Sequence, residues 1–119
     1  MNIDKYIKTI NLFLLSGFFS LFAVFANANE ILGQWNTENG DVANIFKCET
    51  SFCIDMTSGK YKGKMLAKFE IAEDGYKGIV YNPAGSNEFP GTAKITGDLL
   101  EIKACPVAFF CKTQKWNRM

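Results

Sequence analysis

Residues 64–71 read KMLAKFEI, in which Met65, Ala67, Phe69 and Ile71 alternate with charged residues, apart from one leucine. Successive side chains of a β-strand point to opposite faces, so this period of two predicts a strand with one buried and one wet face. The alternation recurs in 88–96, EFPGTAKIT, and in 99–104, LLEIKA. No stretch of the chain after the first thirty residues has a helical period of apolar residues, so the sequence predicts an all-β protein.

Turn residues divide the chain into short strands, because glycine, asparagine and aspartate tolerate the positive φ that tight hairpins require. These signals are Asn39-Gly40, Ser58-Gly59, Asp74-Gly75, Asn82-Pro83-Ala84-Gly85 and Gly97-Asp98. The predicted strands are 33–38, 41–48, 53–58, 64–72, 76–81, 88–96, 99–104 and 112–118. Seven short connections are typical of an up-and-down antiparallel meander. Closing it into an eight-stranded barrel removes the exposed strand edges.

The N-terminal region has the pattern of an export signal. Lys5 and Lys8 precede an apolar run at 12–26, and Ala26-Asn27-Ala28 gives the small-x-small pattern of a cleavage site. The apolar run is shorter than the roughly 20 residues of a membrane-spanning helix. We therefore expect residues 1–28 to be a cleaved signal peptide and 29–119 a single domain. The mature protein is expected in the periplasm or outside the cell, without a stable membrane anchor.

Composition excludes several classes of function. The chain has 13 basic and 12 acidic residues, and removing the signal leaves a net charge near zero. That balance excludes the basic footprint of a nucleic-acid-binding protein and the acidic bias of a disordered tail. The chain has no histidine, which removes the commonest general base and the imidazole-dependent triads. The carboxylates lie mostly in turns or on wet faces, so we expect no enzyme activity and no cofactor.

Four cysteines remain after export: Cys48, Cys53, Cys105 and Cys111. An oxidising compartment favours disulfides, and three pairings are open. Cys48–Cys53 and Cys105–Cys111 are favoured because each pair flanks a predicted loop between adjacent strands, within the Cβ separation of about 3.8 Å that a disulfide needs. A four-cysteine zinc site is the alternative. Its usual two-residue knuckles are absent, so we expect no metal.

Each end of the predicted domain has a tryptophan in its terminal strand. Gly33-Gln34-Trp35 opens the first strand, and Trp116-Asn117-Arg118 closes the last. If the barrel shuts, these strands are neighbours. Trp35 is then expected to plug one end of the barrel, with Arg118 stacked on its indole ring and hydrogen-bonded to carbonyls near the chain end.

These end motifs, with the other features in their order, resemble the lipocalin-like, or calycin, superfamily. More closely, the chain is similar to a family of small exported bacterial proteins of unknown function. The matching features are the two end motifs, Asn39-Gly40, the pair Cys48 and Cys53, 78–83 (GIVYNP) and 113–115 (TQK). Two features depart from the family: Asn82 stands where aspartate is usual, and the segment between the third and fourth strands is shortened to about 58–63. The resemblance implies a barrel that can enclose a ligand cavity, without an established activity.

An eight-stranded barrel is either filled by its own side chains or holds one small ligand. Our first hypothesis is a non-enzymatic envelope or secreted protein that binds a small hydrophobic molecule in or at the mouth of the barrel. The expected lining residues are Met65, Phe69, Val80, Phe89, Ile95 and Ile102.

The alternative hypothesis is an envelope interaction or inhibitor protein that grips a protein partner through rim loops such as 105–111. Exposed Phe109 and Phe110 would anchor such a partner. The same rings could instead fold back over the barrel as a plug.

Overall fold

The computed structural model describes residues 30–107 and 110–119, and the predicted signal at 1–28 lies outside them. The described residues form eight strands. These are β1 (Gly33–Asn36), β2 (Val42–Cys48), β3 (Ser51–Met56), β4 (Met65–Ala72), β5 (Gly75–Tyr81), β6 (Glu88–Thr96), β7 (Leu99–Val107) and β8 (Phe110–Arg118). Within those two ranges no helix has the length and apolar character needed to cross a membrane.

The strands close into an up-and-down barrel, which confirms the predicted fold. Each strand pairs antiparallel with the next, and β1 completes the circle by pairing with β8. The closing seam is narrow, because β1 has four residues and meets β8 at only Trp35↔Arg118 and Asn36↔Asn117. Among the described residues, 110–116 of β8 therefore have a neighbouring strand on the β7 side alone.

The two ends of the barrel differ in the length of their connections. At one end, which we call the closed end, the turns 49–50, 73–74 and 97–98 have two residues each. At the other end, which we call the mouth, the connections 37–41, 57–64 and 82–87 are longer. The Asp74-Gly75 turn prediction is wrong by one residue, because Gly75 already pairs with Ala72 as the first residue of β5.

The strongest correction concerns the predicted loop 105–111. Its described residues belong to β7 and β8, which continue past Ala104 and pair again at Val107↔Phe110. The register shifts between Ala104 and Val107. That irregularity breaks the period of two, so the alternation predicts that the seventh strand ends at Ala104, whereas β7 continues to Val107. Residues 105–107 and 110–111 form what we call the projecting hairpin, since they pair only with each other.

The packed core occupies the part of the barrel toward the closed end. The largest fully buried side chains are Trp35, Phe52, Phe69, Ile31, Ile45, Ile54 and Leu100. Phe52 and Tyr76 meet edge to face with ring centroids 5.3 Å apart. Fully burying one large apolar side chain contributes about 1.5–3 kcal/mol, so this half of the barrel holds most of the fold's hydrophobic stabilisation.

Candidate functional site

A cavity of about 620 Å³ opens at the mouth of the barrel. This volume lies within the roughly 300–1,000 Å³ typical of small-molecule sites. The deepest lining residues come from the strands and the outer ones from the mouth connections. The lining residues are Thr37, Glu38, Asn39, Asp41, Ile54, Met56, Tyr61, Leu66, Ala67, Val80, Tyr81, Asn82, Pro83, Phe89, Ile102, Ala104, Pro106, Lys112, Gln114 and Trp116.

One wall of the cavity is apolar because of strand register. Directly paired residues of neighbouring strands point to the same face of a sheet. Ile54 pairs with Ala67, Ala67 with Val80, and Val80 with Phe89, so one apolar row crosses four strands. Ile54 and Ala67 are buried at the base of this row, and Val80 and Phe89 are its partly exposed members.

The opposite wall is more polar and comes from β7 and β8. Ile102 pairs with Gln114, and Ala104 with Lys112, so these β8 residues share the inward face. The Trp116 Nε1–H group donates a hydrogen bond of 2.9 Å to Oε1 of Gln114. This contact fixes the amide of Gln114 at the cavity wall. In the described part of the chain Lys112 has no carboxylate within ion-pair distance. Its ammonium group can therefore bind a polar group of a ligand.

The rim beside β8 is built from the connection 37–41. Glu38 Oε1 accepts a hydrogen bond of 3.3 Å from the backbone N–H of Lys115. The Glu38 carboxylate therefore accepts the backbone N–H of Lys115, which has no partner on β1 because β1 is too short to reach it. Thr37 Oγ1 donates to the backbone carbonyl of Asp41 at 2.9 Å and holds the connection in its turn.

Only part of the predicted lining set reaches the cavity. Val80, Phe89 and Ile102 line it. Phe69 is fully buried in the packed half of the barrel, and Ile95 packs against that core. Met65 is 41% exposed, beside a register shift between Ile54 and Asp55 that interrupts the regular pleat.

Sequence reasoning missed the polar wall. Counting back from Trp116 in steps of two reaches Gln114 and Lys112, and this signal was available in the sequence. The expected interior is defined by the apolar alternation of β4, β6 and β7, and the polar residues of β8 do not fit that pattern. The tyrosines at the rim, Tyr61 and Tyr81, lie beside irregular connections that no periodicity could place.

The closed end is sealed by the two ends of the described domain. The guanidinium carbon of Arg118 lies 4.3 Å from the centre of the Trp35 ring, and Arg118 Nη1 donates to the Leu32 carbonyl at 3.3 Å. The Trp35 indole N–H donates to the carbonyl of Ile31 at 2.9 Å. Gly33 opens β1 between these partners with a φ of 118°. Access to the cavity is therefore from the mouth.

Both predicted disulfides are confirmed. Cys48–Cys53 spans the turn 49–50 at the closed end, with Cα atoms 5.9 Å apart. Cys105–Cys111 links the two strands of the projecting hairpin, with Cα atoms 4.0 Å apart. Two disulfides in so small a domain indicate an oxidising, extracytoplasmic environment.

The projecting hairpin exposes apolar side chains. Val107 is 57% exposed and Phe110 is 76% exposed, so the ring of Phe110 does not plug the barrel. Phe109 lies outside the described residues. Large exposed apolar side chains that lie together are typical of interaction sites.

The cavity walls combine apolar side chains with a few polar and charged groups. Among residues 30–107 and 110–119 there is no group of three or more histidine, cysteine, aspartate or glutamate side chains that could hold a metal ion. An apolar wall facing a wall with one amide and one ammonium group suits an apolar molecule with a polar end.

Comparisons of the chain with family models, curated proteins and solved structures found no match.

Proposed function

We propose that this chain is a non-enzymatic, lipocalin-like binding protein that holds one small hydrophobic ligand at the mouth of its barrel. The observation that carries the proposal is the cavity of about 620 Å³ above a packed floor. A barrel filled by its own side chains would leave no such space, and a wider barrel would leave a channel. This barrel is packed at one end and hollow at the other.

The walls of the cavity define the class of ligand. Val80 and Phe89, the partly exposed members of the row that begins at Ile54, offer apolar surface for the body of the molecule. Gln114 and Lys112 offer a place for a polar group near the rim. We expect a slender, mostly apolar molecule, bound with its polar end toward β8.

The proposed compartment is the cell envelope or the medium. It is supported by the two disulfides and by the signal pattern at 1–28. Expressed in bacteria with its own leader, the protein recovered outside the cytoplasm should have the mass of residues 29–119. Recovery of the full-length chain from the cytoplasm would contradict export.

The binding proposal is tested with N-phenyl-1-naphthylamine, an uncharged fluorophore whose emission rises in apolar surroundings. We expect saturable binding with one site per chain. Ala104→Phe places an aromatic ring in the cavity and should weaken probe binding at least tenfold. Thr92→Phe is the matched control, because Thr92 is an exposed residue on the adjacent strand β6.

Both variants are first checked for an unchanged circular dichroism spectrum. Equal probe binding by the wild type and Ala104→Phe would overturn the proposed site. Equal loss of binding in both variants would show that the effect is not specific to the cavity and would also overturn the proposed site. Unsaturable binding by the wild type would also contradict the proposal.

A second candidate function is a grip on a protein partner through the projecting hairpin. The exposure of Val107 and Phe110 is the observation that favours it. This function requires that the molecule bound by Val107 and Phe110 is a protein.

A further inference from the structure

The projecting hairpin carries an exposed apolar pair, Val107 and Phe110, which we call its tip. Pro106 of the same hairpin lines the cavity. The pairing of β7 with β6 ends at Ala104, and β8 pairs with β1 only at the opposite end of the strand, at Asn117 and Arg118. The pair Val107↔Phe110 therefore has solvent on its flanks. The Cys105–Cys111 disulfide joins the two strands just below this pair, so the tip is held in place before it meets any partner.

A basic segment stands on the other side of the mouth. The connection 57–64 reads TSGKYKGK, and its three lysines, Lys60, Lys62 and Lys64, are all exposed. It contains no acidic residue. It joins β3 to β4, whereas the projecting hairpin joins β7 to β8. In a closed eight-stranded barrel these positions are four strands apart in either direction, so the lysines and the apolar tip lie across the mouth from each other.

The turns of the closed end carry charges of the opposite sign, one of which, Asp98, is ion-paired with Arg118 at 3.7 Å. Its two-residue turns contain Glu49, Glu73, Asp74 and Asp98, and they contain no lysine or arginine. The mouth connections contain two acidic residues, Glu38 and Asp41. The Asp41 carboxylate lies against Gly59 of the lysine segment and offsets one of its three positive charges, whereas Glu38 bonds to the backbone of Lys115. The barrel thus has a basic segment at its mouth and an acidic set of turns at its closed end.

We propose that the mouth docks on the surface of an anionic phospholipid bilayer, with the tip of the projecting hairpin at the interface and the lysine segment among the headgroups. Lysines beside an anionic membrane each strengthen binding, while aromatic side chains favour the interface itself. A flat surface can touch both contact points at once because they stand on opposite sides of one opening. The acidic closed end is then turned away from the membrane.

A bilayer fits these observations better than a protein partner. The apolar area is small and is separated from the lysines by the cavity mouth, whereas protein interfaces concentrate their anchors at one buried centre. Docking in this orientation faces the cavity toward the membrane, where apolar ligands partition. The docking proposal rests on the tip and the charges alone, so it stands or fails independently of probe binding in the cavity.

The test is flotation of the exported protein with vesicles of phosphatidylcholine, with or without phosphatidylglycerol. We expect binding only to the vesicles that contain phosphatidylglycerol, and release by salt. Each lysine near an anionic surface contributes about fivefold to partitioning, so Lys60→Glu, Lys62→Glu and Lys64→Glu combined should weaken binding roughly 100-fold or more. The matched control reverses three exposed wall lysines, Lys68, Lys77 and Lys94, and keeps the same total charge.

The tip is tested by Val107→Ser with Phe110→Ser, which should weaken vesicle binding about tenfold. Ile71→Ser removes an equally exposed apolar side chain near the closed end and should leave binding unchanged. Equal losses in the mouth and wall lysine variants would reduce the effect to net charge and overturn the docking orientation. Absence of vesicle binding, with a photo-crosslinker at position 110 capturing an envelope protein, would overturn membrane docking and assign the hairpin to a protein partner.

Discussion

Gly78 shows how a single missing side chain lets the barrel wall bend. It pairs with Phe69 on one side and with Gly91 on the other. A Cβ atom at Gly78 would overlap the backbone carbonyl of Lys68, and its separation from the Cα atom of Phe69 would be 2.9 Å. Backbones approach so closely here that only glycine fits, as at the bends of other strongly curved sheets.

Gly78→Ala should lower the free energy of unfolding by about 1–3 kcal/mol, because the added methyl group has rigid backbone in its way. Gly85→Ala is the control, since its Cβ would meet only the Asn82 side chain at 3.6 Å. That change should stay within about 0.5 kcal/mol. Urea denaturation of both variants measures the difference. Similar stabilities for the two would show that the β5 backbone is not pressed against β4.

Arg118 connects the last strand to the first through its guanidinium group. Arg118→Met should cost about 1–3 kcal/mol, because it removes the contact with the Trp35 ring and the hydrogen bond to the Leu32 carbonyl. Lys115→Met removes an exposed cation from the same strand and should be nearly neutral. Thermal unfolding compares the two, and an equal change in both would remove Arg118 from the closing seam.

At the scale of elements, the sequence predicted what depends on local pattern. The alternation placed the inward residues of β6, of the first part of β7 and of the middle of β4, and the turn residues placed the reversals. At the two ends of β4 it was wrong, because Met65 and Ile71 are 41% and 60% exposed. Both disulfides followed from the proximity of each pair along the chain. These features need no knowledge of distant contacts, which is why they could be derived.

The missed features depend on irregular pairing. The register shift above Ala104 concealed the last residues of β7 and the first of β8, so a hairpin was expected to be a loop. β1 has four residues and β8 has nine, so residues 110–116 of β8 have no partner on β1. No sequence motif indicates this difference in strand length. Phe69 was expected in the ligand site, but depth along the barrel axis cannot be derived from alternation alone.

The two disulfides should differ in what they stabilise. Cys48→Ser with Cys53→Ser should lower global stability by roughly 2 kcal/mol, since the cross-link spans a turn packed into the barrel. Cys105→Ser with Cys111→Ser should cost less, because the native projecting hairpin also gains freedom when the link is lost. Amide hydrogen exchange at Val107 should nevertheless accelerate in that second variant. An unchanged exchange rate would show that strand pairing alone holds the tip.

At the scale of the whole molecule, the barrel divides into a packed half and a hollow half. Two-residue turns, the core and the Trp35–Arg118 contact belong to the closed end. Longer connections, the cavity and the projecting hairpin belong to the mouth. The sequence left open whether the interior was filled or empty, because glycine and alanine can either create space or accommodate large neighbours. The structure has both arrangements, one at each end.

The two tryptophans report on the two halves separately. The Trp116 indole N–H bonds to Gln114 at the cavity wall, whereas the Trp35 indole N–H bonds to Ile31 at the sealed end. A ¹⁵N-labelled sample therefore gives two indole signals, which can be followed while N-phenyl-1-naphthylamine is added. We predict a saturable shift of the Trp116 signal with the Trp35 signal unmoved. Equal shifts of both signals, or no shift of Trp116 at saturation, would contradict ligand binding in the hollow half of the barrel.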